Sequence, residues 1–132
     1  MKQREILEVA LAADVADVKS LLAPLFALDA NDIAELRTDV GESAVRYELE
    51  KMPGSFSTKL TLYIDPDRTN GIDTDAALAE ALVGATQDRA VASLPADHPQ
   101  AANPAAWMLY APGAPPKLVH QKARDDDGID LA

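Results

Sequence analysis

The sequence predicts an α+β fold, a single domain whose largely antiparallel sheet carries two helices in the approximate order βαβββαβββ. Three observations predict it. Two segments, "AVRYELE" and "STKLTLYID", alternate apolar and polar residues with the period of a half-buried strand. Two others, "VADVKSLLAPLFAL" and "DTDAALAEALVGA", place leucines and alanines at helical spacing behind aspartates and a threonine able to cap them. The length, 132 residues, suits one core and is short for two.

Residues 4–28 admit two readings. Leu7, Leu11, Val15, Val18, Leu22 and Leu25 recur as they would along one long amphipathic helix. Against it, Asp14 followed by Asp17 resembles a helix cap with an acid at N3, which starts a helix near Val15 and leaves Leu7, Val9 and Leu11 to alternate as a strand. The strand-then-helix version is preferred, with the helix bent or ended near Pro24. "DIAELRTD", residues 32–39, begins a meander. Val45, Tyr47 and Leu49 then face the core while Arg46, Glu48 and Glu50 face water; Leu60, Leu62 and Ile64 do the same against Lys59, Thr61 and Tyr63, across a Pro53-Gly54 turn. Leu78, Ala81, Leu82 and Ala85 define the buried face of the second helix, which Gly84 weakens near its end. "RAVASL", "AAWMLYA" and "PKLVHQKA" supply the last three strands. The domain spans residues 1–124, and 125–132 form an acidic tail or one more short strand.

Charge narrows the function classes. The chain has 22 Asp and Glu against 12 Lys and Arg, a net charge of -10 spread through both halves. That field repels nucleic acid and anionic lipid, and it favours a basic protein partner. With no cysteine there is no disulfide framework or thiolate metal set, and the N-terminal segment reads as neither signal peptide nor membrane span. These features fit a cytoplasmic protein. Oligomeric state is not legible.

"DPDRTNGIDTD", residues 65–75, looks at first like a calcium loop. From Asp65, however, Thr69 takes position 5, Asn70 takes 6, Gly71 comes one late, and Ala76 stands where a bidentate glutamate belongs. A turn at Asn70-Gly71 and capping by Asp73 to Asp75 accounts for the same residues, so no metal and no cofactor is expected. No nucleotide, hydrolase or zinc-protease motif appears, and the chain is not expected to be an enzyme. The one loop that keeps a small-enzyme or ligand-binding alternative open is "SLPADHPQAANPAAW", stiffened by Pro95, Pro99 and Pro104 and carrying Asp97 and His98. It reads equally as an interface, a pocket or a crossover. Tyr110 and Tyr63, if they share an outward face, would form an aromatic anchor; the competing reading covers Tyr110 with the second helix.

An acidic single α+β domain without catalytic signatures resembles the small immunity proteins of bacterial polymorphic and contact-dependent toxin systems. That resemblance implies a stoichiometric inhibitor, without turnover, that occludes a basic toxin domain. Asp65, Asp67, Asp73, Asp75, Asp125, Asp126 and Asp127 would then meet the toxin, with Asp97, His98 and Tyr110 as further partner contacts. "VKSLLAPLFAL" followed by "AVRYELE" and "TKLTLYID" is also similar to the front half of type III secretion chaperones, which implies an effector-binding protein as the alternative. Those chaperones usually end in a third helix, whereas this chain ends in "KLVHQKARDDDGIDLA".

Overall fold

The computed structural model describes residues 4–36 and 43–131. Its elements are β1 (Glu5–Leu11), α1 (Val18–Phe26), β2 (Ile33–Glu35), β3 (Val45–Lys51), β4 (Thr58–Ile64), α2 (Asp75–Thr86), β5 (Ala90–Ala92), β6 (Ala106–Ala111) and β7 (Ala114–His120), with 3-10 turns at Ala30–Asp32 and Pro66–Arg68. The strands form one sheet in the order β2-β3-β4-β1-β5-β6-β7. The α+β class and the βαβββαβββ order are those the sequence predicts.

β1, first in the chain, lies at the centre of the sheet. All seven of its residues pair antiparallel with β4, from Glu5↔Ile64 to Leu11↔Thr58, while β5 reaches only Ala10 and Leu11 on its other side. Where β5 stops, Asp75 takes over: its Oδ1 accepts the Glu8 amide at 3.0 Å, satisfying a backbone donor that the ladder leaves open. Arg4 closes the far end of the sheet, its guanidinium donating to the carbonyls of Ser43, Ala44 and Tyr63.

One sheet face is covered by both helices. Leu7, Val9, Leu11, Val45, Tyr47, Leu60, Leu62, Ile64, Ala90, Ala92 and Tyr110 pack there against Val18, Leu22 and Phe26 of α1 and Leu78, Ala79, Leu82 and Val83 of α2. Leu22, Leu60, Leu62, Leu78 and Leu82 are fully enclosed, and each such side chain contributes about 1.5–3 kcal/mol through removal from water.

As expected, α1 ends near Pro24, closing two residues beyond it at Phe26 with Ala27 at φ 53. Three local details differ from the sequence reading. The α1 cap is Asp17, not Asp14: Asp17 accepts from both the amide and the hydroxyl of Ser20, whereas Asp14 pairs with Lys51. The β2 strand pairs parallel with β3 (Ile33↔Val45) rather than opening a meander, and residues 37–39 of that expected strand lie outside the described residues. The buried face of α2 is Leu78, Ala79, Leu82 and Val83, rotated from the face expected; Ala85 is exposed, and α2 continues past Gly84 to Thr86. Alanines all round this helix give it little hydrophobic asymmetry to read.

The second sheet face is divided. Across β5 and β6 it is covered by residues 121–131, a looped strap whose return leg lays Leu131 beside Gln121 and accepts the Lys122 amide at the Asp130 carbonyl, 2.7 Å away. Ile129 runs parallel to Gly54, its carbonyl accepting the amides of Ser55 and Phe56. Asp130 accepts from the Ser55 amide and hydroxyl, and Arg124 binds Asp126 through two nitrogens while also reaching Asp130. Beneath the strap, Ala10, Phe56, Val91 and Ile129 form a second small core with Trp107, Leu109 and Leu131 at its margin. The fit leaves no room for side chains at two glycines. A Cβ at Gly54 (φ +94) would stand 2.8 Å from the Ile129 carbonyl oxygen, and one at Gly128 would stand 2.6 Å from that of Pro53.

The edges of the sheet are blunt. β2 is three residues long, and β7 carries Pro115 and Pro116.

Candidate functional site

The structure does not gather the expected contact residues into one patch. Asp65, Asp67, Asp73 and Asp75 follow the C-terminal end of β4, whereas Asp125, Asp126 and Asp127 belong to the strap, which docks on residues 53–56 ahead of the N-terminal end of β4. The length of β4, about 20 Å at roughly 3.3 Å per strand residue, separates Asp65 at its C-terminal end from the strap docked ahead of its N-terminal end.

Three of these seven aspartates, Asp65, Asp75 and Asp126, hold the fold. Asp65 caps the Pro66–Arg68 turn by accepting the Asp67 amide. Asn70 and Gly71, both at positive φ, make the turn that the sequence indicates, and Asn70 Nδ2 ties it to the Leu25 carbonyl at 2.9 Å. Thr74 is the actual cap of α2, and Asp73 beside it is exposed. Asp75 is turned toward β1, where burial, with the neighbouring Glu8 charge, pushes its carboxyl above the ordinary value despite the Glu8 amide. Asp126 is held down to about 2 by Arg124 and the Gly128 amide, and Asp130 is lowered by Ser55 first and Arg124 after. Asp125 and Asp127 remain exposed, with no ion pair among the described residues. Among the described residues no three His, Asp or Glu side chains converge as a metal cage requires.

Tyr110 cannot serve as a surface anchor. It lies under α2 at 5% exposure, where burial raises its phenol pKa and the Glu80 and Asp75 charges add to the effect. Tyr63 is on the opposite face, paired with Ile6 and Arg46. Strand alternation separates the two, and packing of α2 on β6 decides which is covered.

The Asp97–His98 loop is a chain of turns. His98 Nδ1 accepts the Gln100 amide at 3.0 Å, the His98 amide donates to Pro95, and Gln100 Oε1 meets His120 Nε2 at 2.8 Å. Both imidazoles are thereby engaged in holding the crossover to β6; Asp97 is exposed beside them.

The residues that do come together lie on the second face, where the strap meets the open half. A groove of about 490 Å³ crosses the sheet there, from Glu50 on β3 through Lys59 on β4 and Glu8 on β1 to Trp107 on β6, with Asp126, Asp127 and Ile129 of the strap alongside. Lys59 Nζ stands 3.5 Å from Glu8 and 4.0 Å from Glu50, so one ammonium is divided between two half-exposed carboxylates. Trp107 is fixed by donation from its Nε1 to Gln121 Oε1 at 2.5 Å. Beyond the groove the open half carries Ile6, exposed to 61%, next to Tyr63.

Alternation marks Glu50 and Lys59 as outward-facing, but no local signal says that residues 121–131 fold back over the same face and make it a groove. No protein-family model, curated protein or solved structure matches this chain. Among the described residues no helix is long and apolar enough to cross a membrane.

Proposed function

We propose that the protein is a stoichiometric protein-binding inhibitor, of the immunity type, that covers a basic surface of a toxin domain with the open half of its sheet. The observation that carries this reading is the composition of that surface: Ile6 and Tyr63 form an apolar centre beside Arg46, in a rim where Glu8, Glu48 and Glu50 outnumber Arg46 and Lys59, left uncovered by helix and strap. An apolar anchor within a charged rim is the usual economy of protein interfaces: the centre supplies affinity and the rim supplies rate and specificity. The net charge of -10 selects basic partners and opposes nucleic acid. Binding of a secretion effector, the chaperone-like alternative, uses the same surface chemistry, and the identity of the partner separates the two.

The test is affinity capture with the full chain followed by reconstitution with the purified partner. An equimolar complex is expected, with Kd rising about tenfold or more between low and high salt, and with binding lost on Ile6→Lys while the circular dichroism spectrum is kept. A partner that inhibits growth, and whose action is suppressed by the intact chain but not by Ile6→Lys, identifies the inhibitor role. A chain that retains no protein at low salt, yet gains melting temperature from a small molecule, would sink the proposal.

A further inference from the structure

The outer margins of the sheet are blunt, but the sheet has a further edge inside it. We infer that the N-terminal half of β1 is a slot for one extended segment of the basic partner, which pairs backbone to backbone with Ile6 in the lane that β5 leaves unfinished. This docking rests on the protein-binding reading and gives it a location and a mode of contact.

Strand alternation identifies the backbone groups at stake. The Asp65 amide bonds to the Ala44 carbonyl and the Met52 amide to the Ser57 carbonyl, so the odd-numbered residues along β4 turn toward β3. Its even-numbered residues therefore serve the odd-numbered residues of β1, and the even-numbered residues of β1 point the other way. Ala12 and Glu8 agree: one amide donates to the Arg89 carbonyl and the other to Asp75. Ala10 is met by Val91. Ile6 is met by no strand among the described residues, because β5 ends at Ala92 and Pro95 begins the chain of turns that carries the backbone away to β6. The Ile6 amide, the Ile6 carbonyl and the Glu8 carbonyl thus lie on an open edge. Ile6 is 61% exposed although its strand is central, in keeping with a missing neighbour on one side.

The chemistry of this edge names its occupant. Extended backbone groups facing a vacant lane, about 4.8 Å wide, are completed by a second extended backbone. In antiparallel pairing, the sense in which β5 already runs against β1, a single residue exchanges both bonds with Ile6. Its side chain then falls on the open face beside Ile6 and Tyr63, which selects an apolar residue. Two places further on, the incoming chain reaches half-exposed Glu8 and the Asp75 carboxylate that holds the Glu8 amide, which selects lysine or arginine. The cations nearby are committed elsewhere: Lys59 approaches Glu8 from β4, and Arg4 donates to the carbonyls of Ser43, Ala44 and Tyr63. An extended segment with a central apolar residue and basic residues two places to either side therefore fits the slot.

A capped peptide of that pattern, lysine-threonine-valine-threonine-lysine, is titrated into the nitrogen-15-labelled full chain, alongside the same peptide N-methylated at its valine. The Ile6 amide resonance is expected to move saturably, and its exchange with solvent to slow about tenfold or more at saturation. The N-methylated peptide keeps every charge but loses the donor for the Ile6 carbonyl, and should bind about fivefold or more weakly. Ile6→Pro removes an amide that the β4 ladder does not use, and should bind the peptide about fivefold or more weakly than Ile6→Ala, which keeps that amide. No saturable shift, equal binding of the two peptides, or an Ile6 amide that exchanges as in the free chain would each overturn the slot. So would a folded Ile6→Pro that matches Ile6→Ala; if the proline variant does not fold, the two peptides decide the matter on the parent chain. The captured partner separates the slot from the reading beneath it. A partner lost on Ile6→Lys but held equally by Ile6→Pro and Ile6→Ala removes the slot and leaves the protein-binding reading intact, whereas absence of any partner removes that reading even if the peptide binds.

Discussion

The two faces of the sheet are built on different principles. The helix-covered face buries a continuous cluster of large apolar residues drawn from six strands and both helices, and at its margin encloses the Thr58 hydroxyl without a hydrogen-bond partner among the described residues. The strap-covered face buries four residues and a few margins, and is held by close backbone approach at Gly54 and Gly128 together with one arginine and two aspartates. The first kind of construction gives stability that is shared by the whole domain. The second gives a covering that is specific in geometry and thin in apolar area, next to the half of the sheet that neither helix nor strap covers.

Substitutions can break this contrast or sharpen it. Leu62→Ala empties the centre of the helix-side core and should cost about 2–5 kcal/mol of global stability in urea denaturation, with all probes changing together. Gly54→Ala puts a methyl group where the Ile129 carbonyl lies, at a backbone angle alanine adopts poorly; the cost should be smaller, about 1–3 kcal/mol. Its signature is local: Trp107 emission moves to the red as the strap lifts, while the helical dichroism of α1 and α2 remains.

Acid sharpens the comparison further. Asp126 titrates at about 2 in the folded chain against an ordinary value of 3.8, so the strap's ionic contacts are fully present above about pH 4 and are lost as pH falls toward 2. Asp130 is shifted in the same direction. Trp107 emission should therefore report loosening of the strap within that window, and Arg124→Gln should raise the pH at which it begins.

Asp75 runs the opposite way. Its carboxyl is raised by burial, so ionisation weakens the fold at neutral pH, and the deficit disappears as pH falls below the ordinary carboxylate range. Asp75→Asn keeps an oxygen for the Glu8 amide and removes the charge. The variant should melt higher than the parent at pH 7, and the difference should vanish near pH 3, readable in paired thermal melts.

How much of this was legible depends on which face is considered. Alternation in β3 and β4 displayed the helix-side core directly, because a period of two repeats the same instruction at Val45, Tyr47, Leu60, Leu62 and Ile64. The position of β1 was not legible as central, since strand order follows from long-range pairing that leaves no mark in any one segment. For the candidate site the limit was sharper. The aspartates that look conspicuous in sequence, Asp65, Asp75 and Asp126, turn out to hold turns, an open strand edge and the strap, because short acidic side chains are the residues that satisfy stray backbone donors. Glu8, Glu50 and Lys59 look ordinary in sequence and become a site only when "DDDGIDL" folds back beside them.

The blunt margins of the sheet have a consequence for self-association. Growth of a fibril, or a dimer zipped edge to edge, requires two straight rows of free amides and carbonyls that can continue each other's hydrogen bonding. Here, among the described residues, one outer row is three residues long, and the other carries Pro115 and Pro116, which have no backbone N–H to offer. Both described margins thus disfavour edge-to-edge growth between copies of this chain.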